Sequence, residues 1–201
     1  IPSFLVTLGT LSILEGGAGF VTGGSSVVFR EPGLRELVMG QFIPGVPNIV
    51  LLTLLIYGFT IFLALRTKFG RYTYALGENE SVVDLSGVNV DRYKIGVFAI
   101  SGLLCAIAGA MLVARIGSGS PGMGQGLLLP SIAAVVMGGT ALTGGVGGPH
   151  RTILGVLVIG ILRNGMNLTG VDPFFQEIVL GGVVIIAVAL SIDRRKIDIV
   201  K

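Results

Sequence analysis

Charge is scarce in this chain: Lys, Arg, Asp and Glu make up 12% of its 201 residues, where ordinary soluble domains carry about a quarter. With 52% hydrophobic residues and a mean hydropathy of +0.89, no water-facing surface can be assembled from it. Cysteine is nearly absent. Cys105 stands alone inside an apolar run, which excludes a disulfide framework and a cysteine-built metal site. His150, the single histidine, neighbours Arg151 without a second His or nearby carboxylates. That excludes a metal or acid–base constellation around it and leaves a structural or interfacial role. Ser81, Ser86 and Ser118 have no accompanying His–Asp set, so hydrolase chemistry has no visible basis. The net charge of +3 comes without a Lys/Arg cluster interleaved with aromatics, so nucleic acid is not an expected partner. Neither an initiator Met nor a basic-then-apolar leader precedes Ile1-Pro2, and we expect an N-terminally truncated chain.

What is present is a set of long apolar runs. Asn48 to Leu65 is the cleanest, bracketed by Pro44 and Pro47 before it and by Arg66 and Lys68 after it. At about 1.5 Å per residue it matches a hydrocarbon thickness of roughly 30 Å. Lys94 to Ala114 is rich in Gly, Ala and Ser, which allow close helix approach. Phe174 to Ile192 ends at Asp193-Arg194-Arg195-Lys196, a stop-transfer-like block. Phe4 to Val21, Leu127 to Leu142 and Thr152 to Gly170 are interrupted by glycine, proline and polar residues. In lipid such breaks are tolerated only where protein or a water-filled cavity satisfies the freed backbone groups. The expected fold is therefore an all-α integral membrane protein of about six transmembrane helices, some discontinuous, forming one domain over 1–201.

Alternating these spans puts Arg66, Lys68, Arg71, Arg92, Lys94, Arg151, Arg194, Arg195, Lys196 and Lys201 on one side and Arg30, Arg35, Arg115 and Arg163 on the other. The Lys/Arg bias makes the first side cytoplasmic, together with the C-terminus. It also places inside the polar break at 66–94, whose core reads FGRYTYALGENESVVDLSGVNVDRYK from Phe69 to Lys94. In it Asn79 can cap a short helix, Val82 and Leu85 form an apolar stripe, and Gly87 suits a left-handed stop. Two turns are too short to be stable alone, so something must pack against that stripe. The alternative is a solvated loop with a frayed turn.

The stretch GRYTYALGENESVVDLSGVNVDRYKIGVFAISGLL resembles permease subunits of bacterial sugar-importing ABC transporters of the ribose, galactose and xylose type. FLVTLG at Phe4–Gly9, IAAVVMGGTALTGGVGG at Ile132–Gly148 and NGMNLTG at Asn164–Gly170 resemble further blocks of that family in the same order. The resemblance implies that the short helix is a cytoplasmic coupling helix seated in an ATPase subunit, with Glu78, Asn79, Asp84, Ser86 and Gly87 in its motif and Val82 and Leu85 as its stripe. It implies cytoplasmic ATP-binding subunits, a periplasmic sugar-binding protein and a second permease copy as partners, besides the lipid bilayer of the cell inner membrane. ATP hydrolysis then belongs to a separate chain, and no cofactor is expected here. It further implies about ten helices in a whole member, of which this chain holds the C-terminal six.

Two departures bear on the cargo. Leu128-Leu129-Pro130 stands where members often carry a Glu-Leu-Asp run, and Glu15 where arginine is common. Both argue against transferring ribose specificity. Candidate pathway groups are Arg115, Gln125, Arg163, Asn164 and Asn167, polar residues beside Gly-rich breaks on the outer half of the bundle. Ionisable groups at membrane depth cost roughly 2.5 to 3.5 kcal/mol on insertion scales and so face a cavity or a partner. Equally, the two arginines can snorkel and the two asparagines can cap helices. The run GGTALTGGVGG, Gly138–Gly148, lacks the Lys-Ser/Thr of a phosphate loop. It reads as a hinge or close-packing site at Gly138, Gly139, Gly144 and Gly145. The expected function is ATP-driven monosaccharide import. A permease for branched-chain amino acids or a signalling sugar is the alternative, with a passive channel as the rival outside ABC transport.

Overall fold

A computed structural model of the chain describes residues 3–29, 31–141 and 144–191. Arg30, Ile192, the Asp193–Lys196 block and Lys201 fall outside them. All six expected spans are helices: α1 Ser3–Thr22, α3 Asn48–Arg66, α6 Val90–Ile116, α7 Leu128–Met137, α8 Pro149–Leu168 and α9 Pro173–Ser191. Three short helices are added, α2 Pro32–Met39, α4 Lys68–Glu78 and α5 Glu80–Leu85. The only sheet among the described residues is a two-residue ladder of β1 Val27–Val28 with β2 Ser118–Gly119.

Length and apolarity together mark α1, α3 and α6 as able to cross a bilayer. Their apolar side chains face outward, as Ile13 at 74%, Leu55 at 69% and Leu103 at 60% exposure illustrate. A soluble fold would hide such faces, whereas a bilayer solvates them. Two expected boundaries change. The second span begins four residues before Lys94, because Asn89 caps it by accepting a hydrogen bond from the Arg92 amide at 3.1 Å. The expected Leu127–Leu142 span is a ten-residue helix, about 15 Å long. It ends where Gly138 and Gly139 stop it, the latter at φ 77°.

Backbone contacts divide the chain into Ile1–Leu55 with Ile100–Gln125, and Ile56–Ala99 with Gly126–Lys201. In the first unit Asn48 is buried and organises a turn. Its side-chain oxygen accepts from the Phe42 amide at 2.7 Å, and its own amide donates to the Gly40 carbonyl at 2.8 Å. The β1–β2 ladder is prolonged by the Phe29 amide donating to the Gly117 carbonyl at 2.9 Å.

The second unit holds the apolar core, where Ala133 and Ala134 of α7, Ile159 of α8 and Leu180 of α9 meet. Small residues set the closeness of α7 and α8: a Cβ on Gly155 would stand 1.8 Å from the Ala134 carbonyl oxygen. Close backbone approach through Gly and Ala is how helices associate where lipid removes the hydrophobic drive.

Candidate functional site

The polar break folds as two consecutive helices and a turn. Thr67 caps α4, accepting from the Gly70 amide at 3.2 Å. One residue then serves two helices. Asn79 is extended at φ −156° and ψ 102°, its amide closes α4 on the Ala75 carbonyl, and its side-chain oxygen accepts from the Val82 amide at 3.2 Å to open α5. At the far end Gly87 adopts φ 77° and its amide donates to the Asp84 carbonyl at 2.9 Å, a left-handed stop that only glycine takes without strain. The Ser86 hydroxyl donates back to the Val82 carbonyl at 2.8 Å. Thus Asn79, Ser86 and Gly87 each make a hydrogen bond that shapes α5.

The apolar residues of α5 divide by face. Val83 is buried at 7% and anchors the helix, while Val82 at 58% and Leu85 at 89% stand outward. Glu78 and Asp84 are exposed beside them. Lys94 and Glu80 form a surface ion pair at 2.6 Å, joining the first turn of α5 to α6. Such an exposed pair contributes at most about 1 kcal/mol.

The base under α5 is α4, which the polar composition of 68–78 had concealed. Its signal lies in Phe69, Tyr72 and Leu76 at helical spacing. Phe69 stacks on Tyr93 with ring centroids 5.8 Å apart, Tyr72 meets the same ring at 5.1 Å, and Gly96 leaves room for Phe69 against α6. Offset and tilted ring pairs of this kind contribute about 0.5–1.5 kcal/mol beyond area burial.

The glycine run is seated on this same helix. A Cβ on Gly77 would lie 2.5 Å from the Gly145 nitrogen, and the Tyr74 hydroxyl donates to the Gly147 carbonyl at 3.0 Å. Two further bonds fix the run from other sides: the Gly148 amide donates to the Thr140 hydroxyl at 3.1 Å, and the Tyr57 hydroxyl of α3 donates to the Pro149 carbonyl. Of the four glycines expected as hinge or packing positions, Gly138 packs against Thr152 of α8, and Gly144 and Gly145 pack against α4. Gly139 has open space around it, at positive φ.

The five candidate pathway residues are all exposed and are not gathered in one unit. Arg115 and Gln125 belong to the first, and Arg163, Asn164 and Asn167 to the second. Gln125 donates to Glu15 of α1. Asn167 accepts at 2.9 Å from Gln176 of α9, a buried side chain that also donates to the Val171 carbonyl at 2.9 Å. Sequence reasoning passed over Gln176, Tyr57 and Tyr74. Only the rarity of polar groups in apolar helices marked the first, and nothing local marked the hydroxyl partners of the tyrosines.

Outward apolar spans and a meshed three-helix core define the class: a polytopic α-helical membrane protein. Residues 1–188 match the family described as branched-chain amino acid transport system / permease component, and the chain belongs to that family. It is 43% identical over 192 residues to the probable ABC transporter permease protein YphD of Escherichia coli strain K12, covering 96% of this chain and 58% of that protein. To the ribose import permease protein RbsC of Bacillus subtilis strain 168 it is 40% identical over 195 residues, 96% of this chain and 60% of the other. To the xylose transport system permease protein XylH of Escherichia coli strain K12 it is 48% identical over 178 residues, 86% and 45% respectively. The chain thus spans about half to three fifths of the length of these relatives. No solved structure matches it.

Proposed function

We propose that residues 1–201 act as one permease domain, part of the membrane-spanning subunit of an ATP-driven sugar importer, and that 66–94 is its coupling segment. The observation that carries this is the division of α5: Val83 inward, with Val82 and Leu85 outward at 58% and 89% exposure on a helix of six residues. So short a helix gains nothing from displaying two apolar side chains to water, and it gains much from seating them in a partner's groove. The names of the ribose and xylose relatives support a pentose as cargo.

In this reading a cytoplasmic ATP-binding subunit receives Val82 and Leu85, with Glu78, Asn79, Asp84, Ser86 and Gly87 holding the helix in shape and charge. When that subunit moves, α5 transmits the displacement through α4 to the seated glycine run and on to α7 and α8. Gly138, Gly139, Gly144 and Gly145 serve this path as packing and bending points. Alternating access then follows from a small shift of packed helices. A periplasmic sugar-binding protein delivers the cargo, a second permease copy completes the pathway, and Arg115, Gln125, Arg163, Asn164 and Asn167 supply polar groups along it. The subunit sits in the cell inner membrane with its C-terminus cytoplasmic.

The test is a pull-down. The full-length subunit containing this chain, tagged and extracted in mild detergent, is expected to retain its ATPase subunit and to hold less of it on Leu85→Asp. Undiminished retention by the variant would remove α5 from the interface, and a wild-type subunit retaining no ATPase would favour a passive channel.

A further inference from the structure

α1 carries one ionisable side chain, Glu15. It lies about 18 Å along the helix axis from Ser3 and about 10 Å from Thr22, at ~1.5 Å per residue. This is well inside the span Leu5–Thr22. A carboxylate at that depth is costly against lipid and marks a pathway or a protein partner. Among the described residues it has no ion-pair partner. It has instead the side-chain amide of Gln125, which donates to a Glu15 carboxyl oxygen; Gln125 is the first residue of a single 3-10 turn, Gln125–Leu127, that leads into α7. The Gln125 side chain lies 3.4 Å from where a Cβ on Gly122 would project, at φ 78°, so a larger residue there would crowd it.

The hydrogen-bonding capacity left over is mainly of one kind. The Glu15 carboxyl group offers several acceptor sites, of which the amide takes one, while Gln125 adds its side-chain oxygen as an acceptor and keeps one N–H to donate. An acceptor-rich pair beside an interrupted segment suits a ligand that brings several donors and no negative charge. A polyhydroxylated neutral molecule meets that description, since each hydroxyl can donate. We infer that Glu15 and Gln125 form a specificity-determining subsite that accepts hydrogen bonds from the hydroxyl groups of a neutral sugar in transit. The inference rests on the importer reading above and adds to it the acidic member of the pathway.

The test uses the complete transporter, with full-length permease, ATPase subunits and binding protein, in proteoliposomes. Uptake of D-ribose, D-xylose and D-arabinose, pentoses that differ in hydroxyl orientation, is measured for the wild type, Glu15→Gln and Gln125→Ala. The binding protein is common to all, so changes in the ratios of rates belong to the permease. Both variants are expected to shift at least one ratio fivefold or more. Unchanged ratios, with all three rates lowered alike or not at all, would overturn the subsite and leave Glu15 a structural tie. If Glu15→Gln fails to insert, Glu15→Gln/Gln125→Glu keeps both the carboxyl group and the hydrogen bond. A shifted ratio in that exchange variant supports the subsite and wild-type ratios refute it. A wild-type complex that imports none of the three pentoses with ATP would refute the pentose cargo of the importer reading, and the subsite would fall with it.

Discussion

Gly9, Gly16, Gly17 and Gly19 lie along α1 with open space where a Cβ would project, whereas a Cβ on Gly155 of α8 would stand 1.8 Å from a carbonyl oxygen of α7. The same residue type therefore does two things in two regions. At Gly155 of α8, and at Gly144 and Gly145 of the run seated on α4, the missing side chain admits a neighbouring backbone. In α1 no described residue uses the space, so these glycines leave a smooth face for whatever packs there. The difference separates a region whose structure is set by its own contacts from one that presents a surface.

The comparison breaks most visibly at its tightest contact. Gly155→Ala is expected to force α7 and α8 apart at a cost of about 1–3 kcal/mol, read as a lowered Tm of the detergent-solubilised subunit. Little change would mean that the helices are not meshed there. Tyr74→Phe removes the hydroxyl that reaches the Gly147 carbonyl and leaves that acceptor without this partner, for an expected loss of about 0.5–1.5 kcal/mol. The same variant should raise hydrogen exchange at 144–148, and unaltered exchange would detach the run from α4. Gly17→Ala sharpens the other side. With space around it, the change should stabilise by up to about 1 kcal/mol through helix propensity, and a loss of stability instead would show that another helix approaches closely at that point. Smallest is Glu80→Gln, which removes an exposed ion pair. It should cost less than about 1 kcal/mol, and that cost should shrink as salt is raised.

Much of this was legible in the chain because lipid imposes simple rules. A run such as Asn48–Leu65 announces its length and its ends, and the structure places α3 within one residue of it. The capping by Asn79 and the left-handed turn at Gly87 were equally readable, since each depends on one residue's own chemistry. Contacts distant in sequence were not readable. Nothing in GRYTYALGE says that Tyr74 will reach Gly147, 73 residues away, or that Gly77 will meet Gly145. α4 was concealed by polar composition because its apolar side is narrow and aromatic. In the candidate site the stripe of Val82 and Leu85 was foreseen, but the anchor between them, Val83, was not, because on six residues periodicity cannot tell an inner face from an outer one.

The central claim is that α5 transmits force from an engine on another chain through side chains that do nothing for the fold of this one. Its most direct test is the number of ATP molecules hydrolysed per pentose imported by the complete transporter carrying Leu85→Asp. The account predicts a normally inserted permease with the wild-type Tm and a severalfold rise in that ratio, up to complete uncoupling. A wild-type ratio with Leu85→Asp would contradict it.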